Sequence, residues 1–143
     1  MKIEIRTITV TDAKEIQLLS KQLGYDMSLD DTVEQSKEIL CSENDFAAVA
    51  LIENKIAGWI HVFKAVRLET KPFAEIGGLV VNENYRNKGI GKKLVAAVKQ
   101  WCLEKNIYDL RVRSNVRRTD AHQFYTFIGF GEMKEQKVFK INL

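Results

Sequence analysis

From residue 79 to residue 92 the chain reads Leu-Val-Val-Asn-Glu-Asn-Tyr-Arg-Asn-Lys-Gly-Ile-Gly-Lys. Arg86, Lys88, Lys92 and Lys93 surround Gly89 and Gly91, directly behind an apolar stretch. The chemistry open to such a run is anion binding. At a helix start the first backbone N–H groups have no intrahelical partner, and the macrodipole is positive there. Glycines at 89 and 91 remove the Cβ atoms that would hold a phosphate away, so a pyrophosphate can accept several N–H bonds together. Arg86 and Lys88 add charge-assisted contacts. Two common phosphate loops do not fit. A P-loop needs four residues between its glycines and then Gly-Lys-Ser/Thr, and the dinucleotide fingerprint needs a third glycine where Leu94 stands.

A cradle of this kind requires a strand before it and a helix after it, and the hydrophobic pattern supplies both. Ala74 to Val81 reads as a strand interrupted by Gly77-Gly78, and paired glycines there suggest a bulge or a close approach by another backbone or ligand. From Gly89 to Lys105 the residues Ile90, Leu94, Ala97, Val98 and Trp101 fall on one helical face, with Lys92, Lys99, Gln100 and Glu104 outside. Upstream, Ile3, Ile5 and Ile8 suggest a first strand. Thr11 or Asp12 then caps a helix carrying Ile16, Leu19 and Leu23, and Gly24 stops it. A second helix starts near Ser28 to Asp31 and runs to about Leu40, with Val33, Ile39 and Leu40 facing inward. Phe46 to Ile52 and Ile56 to Val66 form a hairpin around Glu53-Asn54-Lys55. Tyr108 to Val112 is a fifth strand, Ala121 to Ile128 a short helix stopped by Gly129, and Val138 to Ile141 a last β segment. The order β-α-α-β-β-β-α-β-α-β predicts an α/β (α+β) fold, a mixed, mostly antiparallel sheet flanked by helices. No linker is long enough to divide it, so residues 1–143 read as one domain.

Arg86-x-x-Gly89-x-Gly91, preceded by Leu79-x-Val81 and Tyr85, resembles the cofactor motif of the GNAT-type N-acetyltransferase superfamily. The resemblance continues through Ser114-Asn115, Arg118, Ala121-His122, Phe124-Tyr125 and Gly129-Phe130, and upstream through Leu23-Gly24-Tyr25 and Gly58-Trp59-Ile60. It spans essentially the whole chain in a matching element order. Glu83 stands where the family usually has proline, which alters the stiffness of the turn. The step from Asn115 to Ala121 is also longer than in many members.

What this resemblance implies is acetyl transfer from acetyl-CoA, the acyl-donor substrate, to a primary amine by direct attack through a tetrahedral intermediate. An ammonium of pKa near ~10.4 must first lose a proton, at about 4–5 kcal/mol at pH 7. A base, oxyanion donors and an acid for the departing thiolate are then required. Glu75 is implied as the base acting through water, and Tyr125 as the acid. Leu79, Val80 and Val81 would offer backbone groups to the pantetheine arm, which the glycine bulge would admit. Arg86, Asn87, Lys88, Gly89, Ile90, Gly91 and Lys92 would hold the pyrophosphate. Asn115 would bind pantetheine or cap a turn, Arg118 would reach the phosphates or stay on the surface, and His122 would orient Tyr125 or contact the cofactor. His61 is a weaker candidate. Tyr25 and Asp26, at the start of an acidic stretch running to Glu38, would greet a cationic amine or form a solvated face. A small amine or aminoglycoside-like acceptor is favoured. The alternatives are a protein N-acetyltransferase and a non-catalytic acyl-CoA-binding regulatory module.

Composition narrows the rest. The 143 residues carry a net charge of +3, too weak a basic excess to suggest nucleic acid, and no aromatic-basic pattern accompanies it. The apolar runs are too short to cross a bilayer, and the alternating start is unlike a secretory signal. Cys41 and Cys102 lack metal-type spacing and read as reduced thiols, which predicts a cytoplasmic protein without a metal. Small enzymes of this type often pair, so a homodimer is an open expectation.

Overall fold

A two-residue turn organises the sheet. Glu53 and Asn54 both adopt positive φ, 51° and 64°, as a tight hairpin matched to right-handed strand twist demands. They join β2 (Asp45–Ile52) to β3 (Lys55–Ala65). β1 (Ile3–Thr7) lies antiparallel to β2, β4 (Phe73–Val81) antiparallel to β3, and β5 (Leu110–Val112) parallel to β4. The sheet order is thus the chain order, β1-β2-β3-β4-β5. The structure, a computed structural model, describes residues 1–143.

Two bulges decide where side chains point. Ala50 pairs with Gly58 but Leu51 with Ile56, which leaves Ala57 as an extra residue on β3. Its carbonyl is not orphaned, because the Asn82 N–H donates to it at 2.8 Å. His61 pairs with Gly78 but Val62 with Ile76, leaving Gly77 extra on β4. The bulge expected at the glycine pair is therefore present.

Helices α1 (Ala13–Lys21) and α2 (Leu29–Cys41) pack on one face of the sheet. There Leu19, Val49, Leu51 and Val80 form a buried cluster, with Ile16, Ile39 and Trp59 against it. α3 (Ile90–Glu104) fills the other face with Leu94 and Val98, both fully buried. The ridge is close: a Cβ on Gly58 would lie 3.2 Å from Ile90 Cγ2 and 3.3 Å from Leu94 Cδ1. Trp101 stacks on Phe46 at 6.1 Å between centroids.

The buried face of α2 differs from the one expected. Leu40 is exposed, and Thr32 and Ser36 are the buried positions. Their hydroxyls donate to carbonyls one turn back, Thr32 Oγ1 to Ser28 O at 2.9 Å and Ser36 Oγ to Thr32 O at 2.7 Å. With the polar atoms satisfied locally, what these residues present outward is small and apolar.

By packing, the chain divides into two compact units, Met1–Arg113 and Ser114–Leu143. The second holds α4 (Thr119–Phe127), which ends before Gly129 at φ 108°. The strand expected around Val138 to Ile141 is not formed. A strand exists through its ladder bonds, and residues 130–143 make none, so Val138, Phe139 and Ile141 are exposed.

Candidate active site

In the first unit the turn after β4 ends on a helix start that nothing in the protein caps. Gly89, at φ 84°, precedes α3 without a side chain accepting the first N–H groups. Asn87, two residues earlier, is also left-handed at φ 63°. Left-handed residues at a helix entry gather N–H groups into a concavity suited to an anion. Arg86, Asn87, Lys88 and Gly89 are all exposed, as is Lys92, while Ile90 is buried and anchors the helix. A Cβ on Gly89 would meet no protein atom within 4 Å. What glycine supplies here is the positive φ and open room before the N–H groups.

Beside this turn lies an open strand edge. β5 pairs with β4 only across Ala74, Glu75 and Ile76. From Gly77 to Val81 no strand adds to that edge, so its backbone donors and acceptors there face no ladder partner. Val80 is buried, and Leu79 and Val81 are half-buried. An extended chain of amides can pair with such an edge as an added strand would. A diphosphate linked to an amide-bearing arm thus fits the residues present.

Glu75 is held on β4 by an ion pair, its Oε1 accepting from Arg113 Nε at 3.1 Å. Arg113 was not foreseen as its partner. On β3, His61 Nε2 stands 2.7 Å from Asp45 Oδ1, with both side chains 23% exposed. The glycine pair makes room for two β3 side chains. A Cβ on Gly78 would fall 2.6 Å from Trp59 Cη2, and one on Gly77 would fall 2.9 Å from His61 Nδ1.

Trp59 and His61 border a cavity of about 360 Å³ beneath α1 and α2. Ile8, Ile16, Ile39 and Ala47 continue its wall, and Tyr25, Asp26 and Met27 form part of its lining between the two helices. Of the acidic stretch, then, Asp26 reaches the cavity. Asp30, Asp31 and Glu34 are exposed on α2, where the first two suit the positive end of the helix and Glu34 pairs with Lys37 at 3.5 Å.

The second unit carries the other candidates. Asn115 Oδ1 accepts from the Arg117 N–H at 2.9 Å, so its side chain caps a turn. Its carbonyl lies 2.9 Å from His122 Nε2, which fixes the ring and places the proton on that nitrogen in the neutral form. Arg118 is exposed at the start of α4. Tyr125 is half-buried, its ring edge-on to Phe124 at 5.2 Å and to Phe130 at 5.5 Å. His122 is thus tied to Asn115, and the aromatic cluster belongs to Tyr125.

The sequence profile of the Acetyltransferase (GNAT) family matches residues 11–130, from α1 through α4. The chain belongs to that family. This GNAT chain is 26% identical to an aminoglycoside N(6')-acetyltransferase type 1 of Stenotrophomonas maltophilia, over 97% of its own length and 93% of the relative's. Against the corresponding protein of Salmonella enteritidis the identity is 22%, over 90% and 92%. Among solved structures it superposes on AAC(6')-Iy in complex with a CoA-linked bisubstrate analogue with a TM-score of 0.89, at 20% identity and full coverage of both chains. That likeness establishes the shared GNAT fold. The GNAT chain is accordingly an acetyltransferase, and enzymes of this family take the acetyl group from acetyl-CoA. No helix is long and apolar enough to cross a membrane.

Proposed function

We propose that residues 1–143 act as one N-acetyltransferase domain that acetylates a primary amine of a small molecule, the aminoglycoside-like class being the one the relatives' names point to. The observation that carries this reading is the uncapped start of α3, behind left-handed Asn87 and Gly89, beside the unladdered edge of β4. Arg86 and Lys88 would neutralise the donor's pyrophosphate together with the N–H groups of Gly89, Ile90, Gly91 and Lys92. The backbone of Leu79 to Val81 would align its amide arm. When bound, acetyl-CoA supplies a thioester acetyl group as the electrophile.

The chain's own task is then proton traffic. Glu75, fixed by Arg113, takes the proton of the incoming ammonium through water, leaving a neutral nitrogen. Tyr125 returns a proton to the departing sulfur, a step uphill by only about 2 kcal/mol from a phenol near pKa ~10 to a thiolate whose acid is near ~8.5, and the tyrosinate then takes the second proton from the new amide nitrogen. His122, anchored to Asn115, positions that part of α4. Free Cys41 and Cys102 suit a reducing compartment such as the cytoplasm.

Calorimetric titration with acetyl-CoA and CoA tests the donor site. Micromolar affinity in the wild type, weakened by at least tenfold in an Arg86→Ala/Gly89→Asp variant, is expected. A folded wild type that binds neither would overturn the reading. With an acceptor in hand, Tyr125→Phe should lower kcat by more than tenfold while leaving acetyl-CoA affinity within a few-fold. An unchanged kcat would remove Tyr125 as the acid.

A further inference from the structure

We propose that the acceptor is a monoamine with a compact apolar body, of the aryl-alkyl kind, seated in the cavity under α1 and α2 with its amine end at the His61–Asp45 pair. This rests on the acetyltransferase reading and narrows its substrate class within small amines. It departs from the aminosugar substrates named for the relatives, and the reason lies in the walls.

At about 360 Å³ the cavity sits near the lower end of small-molecule sites, roughly 300–1,000 Å³. Ile16, Ile39 and Trp59 give it apolar surface from helix and sheet alike. Four of the polar side chains that line it already donate within the protein. Ser20 Oγ donates to Ile16 O at 2.7 Å, and Gln17 Nε2 to Met27 O at 2.9 Å. Thr32 and Ser36 spend their hydroxyl protons on carbonyls of their own helix. Three hydroxyls and one amide thereby keep only part of their hydrogen-bonding capacity for a ligand, and the wall adds Gln35 and the unpartnered indole N–H of Trp59.

Charge is equally scarce. Asp26 is the only carboxylate in the lining, and it sits in an exposed segment next to Tyr25. The other negative charge is Asp45, reached through His61. An aminosugar brings several ammonium groups and many hydroxyls. Against Ile16 and Ile39 these would be desolvated without partners, the situation buried polar groups avoid. A single amine on an apolar body has no such difficulty. Its ammonium can meet the Asp45–His61 end, and its body displaces water from apolar walls. That end is also the right one. His61 Nδ1 lies over Gly77, where the open edge of β4 begins, so an amine there is next to the edge on which the acetyl-bearing arm would lie.

The protein has two tryptophans, and in a Trp101→Phe background Trp59 alone reports on the cavity. The full-length protein would be titrated with 2-phenylethylamine and with kanamycin while tryptophan emission is followed. Expected is a saturable change with 2-phenylethylamine, with a midpoint at least tenfold below that of kanamycin. Ile39→Asn, which adds polarity to the wall, and Asp45→Asn, which removes the charge, should each raise that midpoint by at least fivefold. The second variant decides the matter if the first fails to fold. Tighter binding of kanamycin, no response to 2-phenylethylamine, or a midpoint indifferent to both substitutions would overturn the proposal. Acetyl-CoA titration of the same protein keeps the two readings apart: intact donor binding with no response to 2-phenylethylamine sinks the substrate class alone, and lost donor binding sinks the transferase reading.

Discussion

At the scale of single residues, Asp12 shows how much of a local structure one carboxylate can hold. It is nearly buried before α1, where Oδ2 accepts from Arg6 Nη1 at 2.8 Å and from the Thr9 N–H at 2.7 Å, and Oδ1 accepts from Arg6 Nη2 at 3.0 Å. The Arg6 hydrogen bonds hold its carboxyl below the usual carboxylate range. A folded-state pKa below the unfolded ~3.9 adds stability that is complete above the unfolded value and is lost as pH falls through the folded one. Asp12→Asn should therefore destabilise the fold by about 1–2 kcal/mol at pH 7, the low end applying because the Arg6 side chain is 38% exposed. Urea titrations at pH 7 and pH 3 check this, since the gap between variant and wild type should narrow at the lower pH. The sequence offered Thr11 or Asp12 as the cap of α1; Asp12 stands at that position, but its carboxylate makes no cap bond to the helix and reaches back to Thr9 and Arg6 instead, a partner the sequence did not mark. Cap preferences are local, whereas the ion pair needs the chain to turn back after β1.

At the scale of elements, the strands and helices were legible because their apolar periods are long, and the cradle was legible because its glycines and cations are contiguous. The His61–Asp45 pair was not. Counted from the Glu53-Asn54 turn, a regular ladder would set Asp45 opposite Val62 and put His61 on the other face. The extra residue Ala57 shifts the register so that Asp45 faces Phe63 and shares a face with His61. Likewise, Gly77-Gly78 announced a bulge, but the side chains that need the space belong to β3. Gly78→Ala places a methyl at 2.6 Å from Trp59 Cη2 and should cost about 1–3 kcal/mol as overpacking. A fall of several degrees in Tm is expected, with Trp59 emission altered because the ring must move. A wild-type Tm would show that the indole yields freely.

For the whole molecule, composition and element order led to the right fold class, and the family profile spans both compact units. The terminal β segment was the error at this scale. Val138, Phe139 and Ile141 have strand-like residue types, but pairing is a property of what lies alongside, which no local pattern encodes. A ligand that binds only the folded state raises stability by about 2.7 kcal/mol at a hundredfold excess over Kd. For a chain of this size that corresponds to roughly 8 °C in Tm. Acetyl-CoA should give such a shift in a thermal melt, and a flat response at saturating concentration would contradict the donor site.

The single added residue at Ala57 has a consequence for how this enzyme can change over generations. Point substitutions can redraw the cavity one side chain at a time. Loss of the Ala57 codon would remove the bulge yet leave every pair beyond it in place, Gly58 with Ala50 and Trp59 with Val49, so Trp59 and His61 would keep their face and only the carbonyl that takes the Asn82 N–H would go. The bulge thereby gives β3 one position at which its length can change without turning its other side chains over.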